Sequence, residues 1–284
     1  MVRRPDPIPA ARVLERVDAV ADGARATDTV PTGFASVDRF LGGGPRHGDL
    51  VVLGGDVGSG KSSLALAFAL RAAQAGAATS FFSAEMSVER LLERAIAVEG
   101  RARVDDMRRG NIDERTRVGI GVAALRLRDA SPKFMTLPVG GVEALRDEVR
   151  RVPHPRFLVV DSLQALVPSL RPLDEELAAA IRSLKQLAIE LDLAVITTAH
   201  LPNFTRGRAD MRPHLDDFGA LGAVKQHSDV VLSLFREEMY SFPTGIEGAT
   251  ELHVLKNRSG STGYVDLYFY KQWMRFEDML DPDR

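Results

Sequence analysis

Apolar residues along this chain follow two patterns: short unbroken runs, and longer segments with an apolar residue at every third or fourth position. An unbroken run such as Phe157-Leu-Val-Val160 is typical of a strand covered on both faces, as in a parallel sheet. Runs of this kind predict strands at Leu50–Gly55, Thr79–Ala84, Phe134–Leu137, Phe157–Asp161, Ala194–Thr198, Val230–Phe235, Glu251–Lys256 and Tyr264–Tyr270.

Helical spacing dominates between the early strands. The last three strands follow one another without long helices, so we expect the sheet to end in an antiparallel section. The predicted fold class is α/β, a mostly parallel central sheet flanked by helices with an antiparallel C-terminal section. Helices are predicted near 62–75, 87–99, 114–128, 141–151 and 174–191, the last with a stripe of Leu173, Leu177, Ile181, Leu184, Leu187 and Leu191.

The N-terminal segment differs from the rest of the chain. Residues 1–9 carry three prolines and predict a disordered start. Residues 10–22 form one helical stripe, and a polar connector follows, so we divide the chain into residues 1–30 and a domain at 31–284. The pattern alone leaves open whether this helix packs on a neighbouring surface or on its own domain. The stripe consists of Val13, Leu14, Val17, Val20 and Ala21.

Composition narrows the class of protein. The 284 residues are 45% hydrophobic and 27% charged, which is ordinary for a soluble globular protein. The chain has no cysteine, so disulfides and thiolate metal sites are impossible, which fits a cytoplasmic protein. It shows no signal sequence and no apolar run long enough to span a bilayer. The net charge of −2 excludes a global basic field, so any contact with nucleic acid must come from local loops.

A glycine-rich loop between the strand ending at Gly55 and the helix beginning at Ser63 indicates a phosphate-bearing ligand. Its pattern G-x-x-x-x-G-K-[ST] lets backbone N–H groups surround a phosphate chain at a helix N-terminus. Lys61 would reach the β- and γ-phosphates and Ser62 would hold Mg²⁺. The alternative is a glycine-rich loop with a chance lysine. The sequence therefore predicts a nucleoside triphosphate bound by Gly55, Asp56, Val57, Gly58, Ser59, Gly60, Lys61, Ser62 and Ser63.

Polar residues end three other predicted strands. Asp161 follows Phe157-Leu-Val-Val and would hold Mg²⁺ with Ser62; a capping aspartate is the alternative. Glu85 would polarise the attacking water, although spacing alone does not separate this role from a capping or surface acid. His200 would touch the γ-phosphate, but a lone histidine is more often structural.

Two basic residues lie between the late strands, beside a Gly/Ser-rich turn. Lys256 and Arg258 fit either a solvated hairpin tip or a basic finger that enters the nucleotide site of a neighbouring subunit.

These motifs occur in an order that resembles the RecA-like C-terminal ATPase domain of DnaB-type replicative helicases, over about residues 31–276. The resemblance implies ATP and Mg²⁺ as ligands, Glu85 as the residue that activates water, and Lys256 and Arg258 acting in trans within a hexameric ring on single-stranded DNA. It also identifies the helix at 10–22 with the linker helix that docks onto the adjacent protomer. The matching segments are Pro31-Thr-Gly-Phe with Val37-Asp38 and Leu41-Gly42-Gly43, Gly48-Asp49-Leu50, Ser83-Ala-Glu85-Met86-Ser87 with Arg94, Phe157-Leu-Val-Val-Asp161-Ser-Leu-Gln164, Phe235-Arg236-Glu237-Glu238-x-Tyr240 and Lys256-Asn-Arg258-Ser-Gly260-Ser-Thr-Gly263.

The sequence also departs from the family pattern. Nothing in it resembles the family's N-terminal collar domain, so we expect a stand-alone motor. His200 stands where the family has a glutamine sensor, as in phage-type hexameric helicases. Gly219 and Ala220 replace the arginine and glutamate that contact the DNA backbone. The candidate DNA contacts that remain are the Gly222 N–H and the side chains of Lys225, Arg206, Arg208 and Arg212.

Three hypotheses follow. The leading one is an ATP-dependent DnaB-like helicase or translocase motor that assembles as a ring on single-stranded DNA. The second is a regulatory ATPase of the RecA superfamily that switches a protein partner without unwinding DNA. The weakest is a nucleotide-binding assembly module with little hydrolysis, because a purely structural site has no need of the water-activating Glu85.

Overall fold

A single nine-stranded sheet organises the computed structural model, which describes residues 10–24, 26–167, 173–240 and 246–279. The strand order is β3-β2-β4-β5-β1-β6-β7-β8-β9, in which β1 to β6 are mutually parallel and β7 to β9 are antiparallel. The fold class predicted from the sequence is confirmed. The strands are β1 (Leu50–Gly55), β2 (Thr79–Ser83), β3 (Lys133–Thr136), β4 (Phe157–Asp161), β5 (Ala194–Thr198), β6 (Val230–Phe235), β7 (Ala249–Asn257), β8 (Gly263–Tyr270) and β9 (Arg275–Asp278).

Helices cover both faces of this sheet and connect its parallel strands. Those within the described residues are α1 (Ala10–Ala21), α2 (Ala35–Phe40), α3 (Lys61–Gln74), α4 (Val88–Gly100), α5 (Val104–Arg109), α6 (Glu114–Asp129), α7 (Gly141–Arg150), α8 (Asp174–Glu190) and α9 (Ala223–His227). The sequence patterns missed α2, α5, α9 and β9. The first two are six residues long, α9 is five and β9 is four, too short for a periodic signal.

Two cores lie on opposite faces of the sheet because side chains alternate along each strand. In β1, Val51 and Leu53 pack with α3, whereas Leu50 and Val52 pack with α8. All six residues of β1 are buried, and so are most of those of α3. Burial of each large apolar side chain contributes roughly 1.5–3 kcal/mol. The sheet is therefore a firm platform for loops at its two edges.

The ends of the strands form two edges of the sheet. The parallel strands β1 to β6 end at what we call the carboxyl edge and begin at the amino edge. Because β7 is antiparallel to β6, it runs from the carboxyl edge, where Glu251 pairs with Phe235, to the amino edge, where Asn257 pairs with Val230. After β8, a tight turn at Lys271–Trp273 leads into β9, and the Trp273 ring lies 5.3 Å from the Tyr270 ring.

Helix α1 has an apolar stripe that its own domain does not cover. Leu14 is 63% exposed and Val17 is 55% exposed. Arg16 contacts Asp28 at 2.8 Å, and Val30, just before the predicted domain boundary, is buried. The predicted disordered start at residues 1–9 lies outside the described residues. No helix in the part of the chain that the structure describes is both long and apolar enough to cross a lipid bilayer.

Candidate active site

The loop between β1 and α3 turns sharply at the carboxyl edge. Gly60 precedes the helix with φ of 104°, a conformation that residues with a Cβ rarely adopt. A Cβ at Gly60 would also lie 2.9 Å from the Phe276 ring, so the domain itself packs against this glycine. The loop is therefore held in shape before any ligand binds.

Lys61 lies folded over this loop. Its Nζ donates to the Gly55 carbonyl at 2.9 Å and to the Asp56 carbonyl at 3.0 Å. Burial lowers the pKa of Lys61, while the nearby carboxylates of Asp161, Asp56 and Glu85 oppose that shift. A buried cation inside a loop of this kind suits the binding of a phosphate chain.

Asp161 brings the ends of β4 and β5 together with the start of α3. Its Oδ1 accepts from the Ser62 hydroxyl at 3.1 Å and from the Thr198 hydroxyl at 2.5 Å. Its Oδ2 is buried without a hydrogen-bond partner, and burial raises the pKa of this carboxyl.

An orphaned carboxylate oxygen beside a hydroxyl fits a hard divalent cation. Among the described residues no group of three or more histidine, aspartate or glutamate side chains could hold a metal ion. Phosphate and water must therefore supply most ligands of any cation bound by Ser62 and Asp161, as is usual for Mg²⁺.

Glu85 projects from the neighbouring strand end beside this site. The Ser162 hydroxyl donates to its Oε1 at 3.4 Å, and His200 Nε2 lies 3.8 Å from the same oxygen. The His200 backbone N–H donates to the Gln164 side chain at 3.2 Å. Glu85 and His200 are both about half exposed, so water reaches them. A cavity of about 510 Å³ opens beside Glu85 and Ser62, lined also by Met86, Arg90, Glu93, Arg94, Val104, Arg108 and Met274.

Lys256 and Arg258 lie far from this site, at the amino edge. Lys256 Nζ donates to the Ser228 carbonyl at 2.5 Å, and Arg258 Nε lies 3.2 Å from Asp229 Oδ1. The six residues of β6 separate the two edges by about 17 Å. These two basic residues therefore cannot act on the phosphate loop of their own chain.

The candidate DNA contacts are engaged within the chain. Arg208 binds Asp217 through two contacts of 2.9 Å, and Lys225 binds Asp216. Arg212 donates to Glu251 at 2.7 and 2.8 Å, and Arg206 donates to Asp56 in the phosphate loop. The Gly222 N–H, predicted to be available to phosphate, donates to the Gly219 carbonyl at 3.1 Å. None of these groups is therefore free in this conformation.

The structure explains why Gly219 and Ala220 replace the family's arginine and glutamate in this loop. Gly219 has φ of 63°, and a Cβ there would lie 2.9 Å from Pro202 Cγ. Ala220 is buried, and its N–H donates to Asp174 Oδ1 at 2.9 Å. A glutamate at 220 would bring a carboxylate into this buried position, which disfavours the family's residue here.

Sequence reasoning missed three contributors to the site. Thr198 donates to Asp161 and was visible only as a hydroxyl at the end of a strand. Arg236, quoted only within a motif, donates to the Gly58 carbonyl at 3.3 Å. Tyr240 was quoted in the same motif, but the sequence gives no local signal for its contact across 184 positions, in which the Tyr240 hydroxyl donates to Asp56 at 3.1 Å.

The fold and the loop define a P-loop nucleotide-binding protein with a RecA-like sheet. Residues 29–278 match the DnaB-like helicase C terminal domain family, and the chain belongs to that family. It is 32% identical over 272 residues to the replicative DNA helicase DnaB of Leifsonia xyli, covering 94% of this chain and 59% of that protein. It is 29% identical over 257 residues to the replicative DNA helicase DnaC of Bacillus subtilis, covering 88% of this chain and 56% of that protein.

Two solved structures share the fold. One is a DnaB-like replicative helicase described with its interactions with primase, with a TM-score of 0.86, 23% identity, and coverage of 97% of this chain and 68% of that chain. The other is a separately solved ATPase domain, with a TM-score of 0.86, 22% identity, and coverage of 97% of this chain and all of that chain. The chain thus spans somewhat more than half the length of the curated relatives named above.

Proposed function

We propose that this chain is an ATP-hydrolysing motor that moves on single-stranded DNA as a ring, in the cytoplasm. The observation that carries the proposal is the meeting of Lys61, Asp161 and Glu85 at one edge of the sheet, in a domain of the DnaB-like family. Each of these groups suits one requirement of phosphoryl transfer to water.

Each side chain has a separate part in the reaction. Ser62 and Asp161 would hold Mg²⁺, which neutralises charge on the phosphates. Lys61 would leave the loop carbonyls to bind β- and γ-phosphate oxygens. Glu85, oriented by the Ser162 hydroxyl, would accept a proton from the attacking water, and His200 would lie beside the γ-phosphate.

The second half of the site would come from a neighbouring subunit. Arg258 and Lys256 lie at the opposite edge of the sheet from their own phosphate loop, so a ring in which one amino edge faces the next carboxyl edge would complete each site. The exposed stripe of α1, which includes Leu14 and Val17, supports a ring held together by helix docking. We propose six subunits by likeness to the family.

Single-stranded DNA is the proposed track, with the loop 201–222 as its contact. Its basic residues are Arg206, Arg208 and Arg212, with Lys225 next to it, and DNA would have to draw them from their carboxylates. This pairing, together with the net charge of −2, is the observation that favours the second candidate, a regulatory ATPase that switches a protein partner.

Steady-state ATP hydrolysis tests the proposal. The purified chain is assayed with Mg²⁺ at low salt, with and without saturating single-stranded DNA, beside a Lys61→Ala control. We expect DNA to stimulate turnover tenfold or more, which is about 1.4 kcal/mol off the barrier, and Lys61→Ala to abolish it. Hydrolysis that depends on Lys61 but ignores DNA would remove the motor and indicate the regulatory ATPase.

A further inference from the structure

The phosphate loop of this chain contains a carboxylate where a highly charged anion must bind. Asp56 follows Gly55, and its side chain is 12% exposed. Its Oδ1 accepts from the Val57 N–H at 2.7 Å, which fixes it within the loop. An ionised aspartate here repels a triphosphate unless a cation neutralises it, because little solvent screens the two charges.

That cation comes from a distant part of the chain. Arg206 donates to Asp56 Oδ2 from Nη2 at 2.9 Å and from Nε at 3.2 Å, and the Tyr240 hydroxyl donates to the same oxygen at 3.1 Å. The segment that carries Arg206 is anchored by aromatic contacts. The Phe204 ring lies 6.0 Å from the Tyr240 ring, which stacks on Phe235 at 5.6 Å.

The other charged groups of the site contact other residues. Glu238 is bound by Arg236 at 2.9 Å and by Lys271 at 2.9 Å, and Asp161 accepts from two hydroxyls. Lys61 faces the loop carbonyls. The Asp56 carboxylate thus takes its counter-ion, Arg206, from the loop 201–222, which is the segment proposed to contact DNA.

We infer that Arg206 is a positioning residue for nucleotide binding: by neutralising Asp56 it makes the phosphate loop receptive to ATP. Without this pair, the Asp56 carboxylate is left to repel the bound nucleotide. The inference deepens the proposed function and rests on its nucleotide site.

A double-mutant cycle tests this inference. The affinity for the non-hydrolysable analogue AMP-PNP with Mg²⁺ is measured by calorimetry for the wild type, Arg206→Ala, Asp56→Asn and the double variant. We expect Arg206→Ala to weaken binding about tenfold. In the Asp56→Asn background, where the repelling charge is absent, adding Arg206→Ala costs less than about threefold. Arg206→Lys, which keeps the charge, stays within about threefold of the wild type.

A matched pair separates this effect from the loss of any surface ion pair. Arg151 and Glu148 form an exposed pair at the end of α7, toward the amino edge, so Arg151→Ala should leave AMP-PNP affinity unchanged. An unchanged affinity in Arg206→Ala overturns the inference. A double variant as weak as Arg206→Ala overturns it too, because the defect then does not act through Asp56. A wild type that binds no AMP-PNP contradicts the proposed function instead.

Discussion

Asp161 and Asp229 are both buried aspartates at strand ends of one sheet, but the two carboxylates differ in their partners. Asp229, at the amino edge, accepts from the Leu50 N–H at 2.8 Å and from Lys185 Nζ at 2.6 Å, and contacts Arg258. Asp161, at the carboxyl edge, has hydroxyl donors only, and its Oδ2 has no partner. The chain itself neutralises the Asp229 carboxylate, whereas Asp161 Oδ2 stays available to a ligand.

The difference between the two edges separates structure from chemistry. At the carboxyl edge, the unpaired Asp161 oxygen costs stability, and we propose that a ligand completes it. At the amino edge, the Asp229 carboxylate is neutralised within the chain, and Arg258 extends from that paired cluster. We therefore expect substitutions at the carboxyl edge to change activity, and those at Asp229 to change stability.

The largest expected effect comes from Arg258. This residue lies at the amino edge, but we propose that it acts in catalysis at the site of a neighbouring subunit. Arg258→Ala should lower ATP turnover about a thousandfold while leaving AMP-PNP affinity of the separated chain within about twofold. Rings mixed from Arg258→Ala and Lys61→Ala chains are the sharper test. About a quarter of their interfaces combine an intact lysine with an intact arginine, so part of the activity should return. Mixed rings without any recovery would contradict catalysis in trans.

Asp229→Asn comes next in size. It leaves Lys185 facing an uncharged partner in a buried position, and should lower the free energy of unfolding by about 3 kcal/mol. Urea denaturation followed by circular dichroism measures this change. An unchanged denaturation midpoint would show that the stability of the fold does not depend on this ion pair. It would contradict the assignment of Asp229 to stability.

Glu85→Gln should lower turnover about a hundredfold or more, because a neutral amide cannot accept the proton of the attacking water. Since Glu85 is about half exposed, the melting temperature should stay within about 1 °C of the wild type. Phosphate release and thermal melting report the two quantities. Retention of full activity would assign the role of the base to a group other than Glu85.

The smallest expected effect is that of Asp161→Asn, which should stabilise the fold, whereas Asp229→Asn should destabilise it. Burial raises the pKa of Asp161 in the folded state, so ionisation of this carboxyl destabilises the fold as pH rises through the interval between its unfolded and folded pKa values. Asp161→Asn should therefore raise the melting temperature by about 2–4 °C at neutral pH without Mg²⁺. The gain should vanish below the unfolded pKa, where both side chains are neutral. A lower melting temperature at neutral pH would show that Asp161 is structural after all.

The sequence predicted the central strands well because their signal is strong and local. Phe157–Asp161 and Ala194–Thr198 were placed at their observed bounds, since five buried residues in a row leave few alternatives. Helix α5 was missed because it has no buried residue and hence no apolar stripe. Strand β9 offers a single buried phenylalanine, Phe276, which no pattern can distinguish from a loop residue.

The candidate site divides in the same way. The phosphate loop and Asp161 were readable because their chemistry lies in contiguous motifs. The pairing of Arg206 with Asp56 spans 150 positions, and that of Arg212 with Glu251 spans 39, so only the fold reveals them. The basic residues assigned to DNA thus looked unpaired in the sequence, although the fold gives each a carboxylate.

The turn before β9 gives this molecule a built-in optical probe. Trp273 is the single tryptophan of the chain, half-buried against Tyr270, and its neighbour Met274 lines the cavity beside Glu85 and Ser62. Indole emission shifts in wavelength and intensity with the polarity around the ring. All tryptophan fluorescence of the unlabelled protein therefore originates from this one corner, next to the place where the nucleotide is proposed to bind.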